Sequence, residues 1–360
     1  MDYETILKKQ FENVMEGEDL DGISEKASRI SEGISDEFTL ENILQSTVNG
    51  ESIFQNQTVI DSFRTLFLYE VQNALVLCVE ILSICIIIGL LQSLTDGFGS
   101  KSVSKLSMLV CTMSVIGISM NSFHISYQLA LDTISAMVYT MEILVPVLIG
   151  ILLSTGAVTS GTVLSPVIIG SAAGFGFLMQ KIAAPALYIA TILGLINCLT
   201  EKNYVNKLSK LIRGGAMFLT GLILTLLTGI ITIQGLLTEA SDGLLINAAK
   251  YSLNTFIPIV GGFTSDTVEL FLRCMGAIKG VVGVFGLILL VIIMAVPLLK
   301  ILVIAAVYKL TAAACEPVIQ SKISDGLNDM GTTMIYMASI LFFTSLLFII
   351  FITTILHIGT

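Results

Sequence analysis

An all-α, polytopic membrane helix bundle is the fold this sequence predicts, and three observations carry the prediction. Only 12% of the residues are charged, and the mean hydropathy is +0.91. A soluble domain carries roughly 25% charged residues, so the deficit is too large for an oversized soluble core. Apolar runs of about 20 residues recur along the chain, each long enough to cross a hydrocarbon layer about 30 Å thick. The charge is also segregated: residues 1–70 hold fifteen Asp/Glu and five Lys/Arg, while the rest of the chain is close to neutral within a total of −9.

Residues 1–70 read as an acidic helical head. Ile6, Leu7, Phe11, Val14 and Met15 recur at helical spacing. Such a head repels nucleic acid and anionic lipid, and no basic stripe with interleaved aromatics exists elsewhere, so nucleic-acid binding is excluded. Met1-Asp2-Tyr3-Glu4 opens no signal peptide, having neither a basic nor an apolar leader region.

The first span is expected at 74–94, with Glu80 near its outer end, followed by a polar turn at 96–105 containing Lys101 and Lys105. The second span is 106–127. In 128–142, Asp132, Ser135, Tyr139 and Glu142 share a face opposite Leu129, Ile134 and Met137, which predicts an amphipathic helix lying in the membrane interface. Residues 143–180 are apolar but interrupted by Pro146, Gly150, Gly156, Gly161, Pro166, Gly170, Gly174 and Gly176. A span at 183–199, a basic loop at 201–213 (Lys202, Lys207, Lys210, Arg213) and a span at 216–237 follow. Residues 238–255 are amphipathic. Residues 256–274 are broken and carry Asp266, Glu269 and Arg273. The apolar stretches 280–297 and 298–315 contain Lys300 and Lys309, 316–331 is polar, and 333–357 is the last span. This makes about seven to nine hydrophobic segments.

Two stretches match at an offset of 112 residues: Pro146 with Pro258, Gly150 with Gly262, Pro185 with Pro297, and Gly174 with Gly286. Leu144-Val145-Pro146-Val147-Leu148 parallels Phe256-Ile257-Pro258-Ile259-Val260. The pattern implies a duplicated unit and this organisation: 1–70, extracytoplasmic head; 71–105, first transmembrane segment and basic loop; 106–213, membrane repeat 1; 214–331, membrane repeat 2; 332–360, C-terminal transmembrane segment. Paired breaks in duplicated membrane units line cavities in transporter-like folds. Pro146, Gly150, Pro258, Gly262, Pro185 and Pro297 are therefore the candidate helix breaks lining a site. The basic connections 96–105 and 201–213 place those ends in the cytoplasm and the head outside, which makes the repeats parallel.

Nothing catalytic is written in the chain. It has no Walker A string, no GxSxG and no HExxH, so neither an enzyme nor a cofactor is expected. Cys78, Cys85, Cys111, Cys198, Cys274 and Cys315 sit in or beside apolar runs without a CxxC pair and read as buried thiols. The candidate intramembrane polar groups are Lys300, Lys309, Asp266, Glu269 and Arg273, because an ionised group at a helix centre costs about 2.5–3.5 kcal/mol on insertion scales. Lys300 reads as marking a turn after Pro297 and Lys309 as snorkelling to an interface; the alternative is a polar lining or an internal ion pair, with Glu316 or Glu269 as partner. Glu269 pairs with Arg273 if that segment is helical, and these groups with Lys279 form a solvated face if it lies outside the bilayer. Gly170/Gly174 and Gly276/Gly280 have the GxxxG spacing that permits close helix approach and self-association into a homo-oligomer.

Several strings together resemble the stage III sporulation protein AE family: Asn121-Ser122-Phe123-His124, the Pro146 region, 207–213, 254–261, 308–313 and Glu316-Pro317. The resemblance runs from about residue 60 to the C-terminus and implies a component of the transport channel (feeding tube) between mother cell and forespore in endospore formers. It implies a multi-pass protein of the mother-cell membrane around the forespore, with its head in the intermembrane space. The implied partners are other proteins of the stage III sporulation A operon, including ring-forming components, together with membrane lipid. Family members support forespore growth and late forespore-specific transcription, and no catalytic residues come with the family. They usually begin with a cleavable leader, which the start of this sequence does not resemble. Two other classes stay open on the residues alone. One is an autonomous secondary transporter or permease using the breaks around Pro146 and Pro258 with Lys300 or Asp266. The other is a non-conducting membrane scaffold.

Overall fold

The computed structural model describes residues 57–98, 101–155, 157–199, 205–256, 261–317, 319 and 321–358. The expectations for residues 1–56 and for Pro258 lie outside the described residues. Every regular element described is helical: α1 (Gln57–Phe98), α2 (Lys101–Ser154), α3 (Val158–Leu178), a π-helical turn (Met179–Ala183), α4 (Ala184–Leu199), α5 (Asn206–Phe256), α6 (Gly261–Cys315) and α7 (Ser321–His357). The π turn joins α3 and α4 into one rod, so six rods are long and apolar enough to cross a membrane. Among the described residues six such rods stand in place of about seven to nine hydrophobic segments, because 106–154 and 280–315 each form part of one helix.

Helix continuity is the main departure from expectation. Pro146 lies inside α2, Pro166 inside α3 and Pro297 inside α6, and none of them ends its helix. A proline deletes one backbone hydrogen bond. In lipid the flanking residues gain nothing by unwinding, since any freed N–H or C=O would have no water to bond. Pro185 differs: it follows the π turn, where the Ala184 N–H reaches back to the Met179 carbonyl. Widening the turn relieves the clash that the Pro185 ring would otherwise make with the preceding turn. The matched pair Pro185 and Pro297 thus occupies different local structures. The amphipathic stretch 128–142 is the middle of the 54-residue α2, collinear with apolar flanks, and so cannot lie flat in an interface. The composition boundaries at 70, 105, 213 and 331 also fall inside helices.

α2 ends at Ser154 and α3 begins at Val158. There the Thr155 hydroxyl donates to the Leu152 carbonyl at 2.7 Å and closes the last turn of α2. Many other serines and threonines satisfy themselves within their own helices. Thr140, Thr220 and Thr344 donate to the carbonyls of Ala136, Ala216 and Ile340 at 2.8–2.9 Å, which makes these residues tolerable among apolar neighbours.

An antiparallel α6–α7 hairpin forms the centre, with α2 along one side. The register is set where glycine lets helices touch. Gly331 faces Ala305, Tyr308 and Lys309, Gly283 faces Leu356, and Gly286 faces Leu144 and Ile352. The buried Tyr308 hydroxyl donates to the Ser119 carbonyl at 2.9 Å, tying α6 to α2. At the expected GxxxG glycines Gly170, Gly174, Gly276 and Gly280 an added Cβ would meet nothing within 4 Å outside its own helix backbone, so no helix packs closely on them within the chain. Close approach uses Gly161, Gly176, Gly283, Gly286, Gly326 and Gly331 instead. Lys279 is no part of a solvated face: it is 1% exposed and donates to the Ile358 carbonyl at the end of α7. A cation there satisfies a terminal carbonyl and opposes the negative end of the helix dipole.

Candidate intramembrane polar site

Three helices bring their polar residues to one place. α1 supplies Glu70, Asn73 and Glu80, α2 supplies Asn121 and Ser122, and α6 supplies Lys300; together they line a pocket of about 250 Å³. α1 runs parallel to α6, which sets Cys78 against Thr311 and Glu70 against Lys300. The Lys300 ammonium lies 3.1 Å from the Glu70 carboxylate, whose side chain is 14% exposed. Lys300 therefore lies inside the unbroken α6 rather than at a turn after Pro297, and its partner is in α1, not in Glu316 or Glu269. Its position three residues after Pro297 brings it into the pocket, but none of the expected helix breaks lines it. Glu80 lies near the middle of the apolar stretch Phe67–Leu91 rather than near its outer end.

Lys309 is drawn into the hairpin. Its Nζ donates to Asn328 Oδ1 and Thr332 Oγ1, both at 3.2 Å, while Glu316 is exposed beyond the end of α6. Asp266, Glu269 and Arg273 lie early in α6, and Gly262 in its first turn, with their side chains outside the described ones. Gly150 is exposed on α2, with nothing within 4 Å of where a Cβ would stand.

A second polar cluster was hidden in the presumed basic loop. α5 begins at Asn206, so Arg213 is two turns inside a helix. Its guanidinium lies 3.4 Å from Asp329 of α7, with side-chain exposures of 5% and 22%. Ser209, one turn before Arg213, donates to the Ala190 carbonyl of α4 at 2.7 Å. Charge density alone marks this stretch as a loop; the apolar spacing of Leu208, Ile212 and Ala216 is the signal that would have found the helix.

The remaining polar groups form a face. Between Asn121 and Glu142, α2 exposes Asn121, His124, Gln128, Asp132, Ser135 and Glu142, and only Ile125 among large apolar residues. Asn121 belongs to both this face and the pocket. His124 Nδ1 lies 3.4 Å from the Tyr188 hydroxyl, and the Tyr188 ring packs on Tyr127 with centroids 4.8 Å apart.

Replacing Lys300 with Met leaves Glu70 without its cation in a mostly buried position. The expected loss is about 1–3 kcal/mol, read as a lower melting temperature of the detergent-solubilised chain. Adding Glu70→Gln should recover most of it. Equal losses in the single and double variants would show that the pair is not coupled.

The family profile described as stage III sporulation protein AE matches residues 38–359. The chain is 29% identical over 316 residues to the stage III sporulation protein AE of Bacillus subtilis (strain 168), covering 88% of this chain and 79% of that protein. No solved structure matches. A match of this extent, on a chain with six membrane-length helices, settles the family: the protein belongs to the stage III sporulation protein AE family.

Proposed function

We propose that this chain forms the membrane part of the transport channel between mother cell and forespore during endospore formation. The observation that supports it best is a polar surface on helices otherwise built for lipid: the Lys300–Glu70 pocket opening onto the polar face of α2. A scaffold that only anchors partners has no use for carboxylates at that depth, where each costs several kcal/mol in lipid. The α1–α2 and α4–α5 connections lie at one end of the bundle, flanked by Lys101, Lys105, Lys207 and Lys210, and this end faces the mother-cell cytoplasm. The acidic head then lies in the intermembrane space, where ring-forming proteins of the same operon meet it. In this reading the two membrane units share a duplicated plan, supported by the 112-residue spacing of Pro146 with Pro258 and Pro185 with Pro297 rather than by like local structure.

The test is a sporulating strain lacking this chain. Its forespores should shrink and lose late forespore-specific transcription, and the full-length chain should restore both from the membrane around the forespore. Forespores of normal volume and normal late transcription in the deleted strain would refute the proposal. A purified chain that alone accumulates a solute in liposomes would favour the secondary-transporter reading.

A further inference from the structure

Contacts across the bundle align the polar face of α2 with the apolar faces of its neighbours. Ser119 touches Tyr308 and Leu144 faces Gly286, so 121–142 of α2 runs beside 308–286 of α6. Gly331 faces Tyr308 and Ile352 faces Gly286, which places 331–352 of α7 in the same layer. Arg213 pairs with Asp329 and Gly235 faces Thr354, so 213–235 of α5 belongs there too. In that layer α5 presents Phe218 at 72% and Leu226 at 57% exposure, along with Leu222 and Ile230. Those side chains require lipid. The layer is therefore inside the membrane where α5 faces outward, while at the same depth α2 exposes Asn121, His124, Gln128, Asp132, Ser135 and Glu142. The stripe extends about 31 Å at the helical rise of about 1.5 Å per residue, close to the hydrocarbon thickness of about 30 Å.

We propose that this face borders a water-filled passage whose other walls are the same face of further copies of this chain. The inference rests on the channel reading above and names the surface that lines it. Lipid is excluded as the occupant by the cost of Asp132 and Glu142. A dry contact between copies is excluded because identical faces would bring like carboxylates together without solvation. Water between them removes that cost, and rotational symmetry closes identical faces into a ring. The rims support copies as the neighbours. Gly117 and Gly150 lie on the same face beyond either end of the stripe, exposed and with open space where a Cβ would stand, and bare glycine on a membrane helix permits close helix contact. Rings of acidic side chains favour cations.

The test uses the full chain in vesicles of phosphatidylethanolamine and phosphatidylglycerol, with cysteine placed singly at Ser135, Gln128 or Leu226. Labelling above the unsubstituted chain is followed with water-soluble methanethiosulfonates. Ser135→Cys and Gln128→Cys should react about tenfold or more faster than Leu226→Cys, since only a hydrated thiol ionises to the reactive thiolate. The cationic reagent should outpace the anionic one. Gly117→Cys or Gly150→Cys should form disulfide-linked dimers on mild oxidation, absent from the unsubstituted chain. Stripe cysteines no faster than Leu226→Cys would overturn the inference. So would fast labelling without a dimer at either rim, because the neighbour would then be another protein. Labelling does not depend on sporulation. If it fails while the deletion phenotype holds, the channel reading survives; if the phenotype fails while labelling holds, the assembled passage stands without the sporulation role.

Discussion

Arg213→Ala is expected to cost the bundle about 3–5 kcal/mol, the range for removing one partner of a buried ion pair. The loss arises less from the attraction given up than from Asp329, left at 22% exposure between helices with no cation. Arg213 also stands one turn after Ser209, which bonds the α4 backbone, so the substitution loosens α4, α5 and α7 together. Thermal unfolding of the detergent-solubilised chain, followed by loss of the monodisperse chromatographic peak, measures it. The diagnostic comparison is Arg213→Met with Asp329→Leu, which removes both charges and should recover most of the loss. A single variant that melts with the parent would show that the pair contributes nothing.

The second large effect has a sign opposite to the usual one. Glycine inside a helix is ordinarily about 1 kcal/mol worse than alanine, so Gly→Ala normally stabilises. At Gly331 a Cβ would stand 3.0 Å from the Ala305 carbonyl oxygen and 2.9 Å from Lys309 Cγ. The carbonyl is backbone and cannot turn aside, so the α6–α7 hairpin must spread. Gly331→Ala should therefore destabilise by about 1–3 kcal/mol, and Gly331→Leu by more. Gly214, in α5, has nothing within 4 Å of a Cβ, and Gly214→Ala should be neutral or stabilising in the same melt. If both alanine variants raise the melting temperature, the hairpin does not have this close approach.

How much of this was legible in advance depended on whether the physics was local. The amphipathic face of 128–142 could be read directly, because Asp132, Ser135 and Glu142 recur at the helical period and the period is a property of the backbone. Its setting could not. An amphipathic segment flanked by spans ordinarily lies in the interface, and only the unbroken course of α2 shows that it stands upright among them. Lys300 was conspicuous because a lysine in an apolar run needs an explanation. Its partner, Glu70, was hidden because net charge assigned it to the head, whereas α1 carries it without a break into the membrane. Arg213 was misplaced for a related reason: clustered charge suggests a loop, but a helix end can carry the same charges and bury one of them.

The amino-acid sequence by itself determined the solvent and the local geometry. A chain so poor in charge must immerse itself in lipid, and in lipid a backbone must be helical to satisfy its own hydrogen bonds. Tertiary structure alone decided which charges meet and where helices end. Ion pairs here join residues far apart in the chain, Lys300 with Glu70 and Arg213 with Asp329, and their energy depends on distances that packing sets. A proline such as Pro146 or Pro297 stops a helix in water, where freed backbone groups can be hydrated. Between packed apolar helices it does not, since unwinding would strand those groups without a partner.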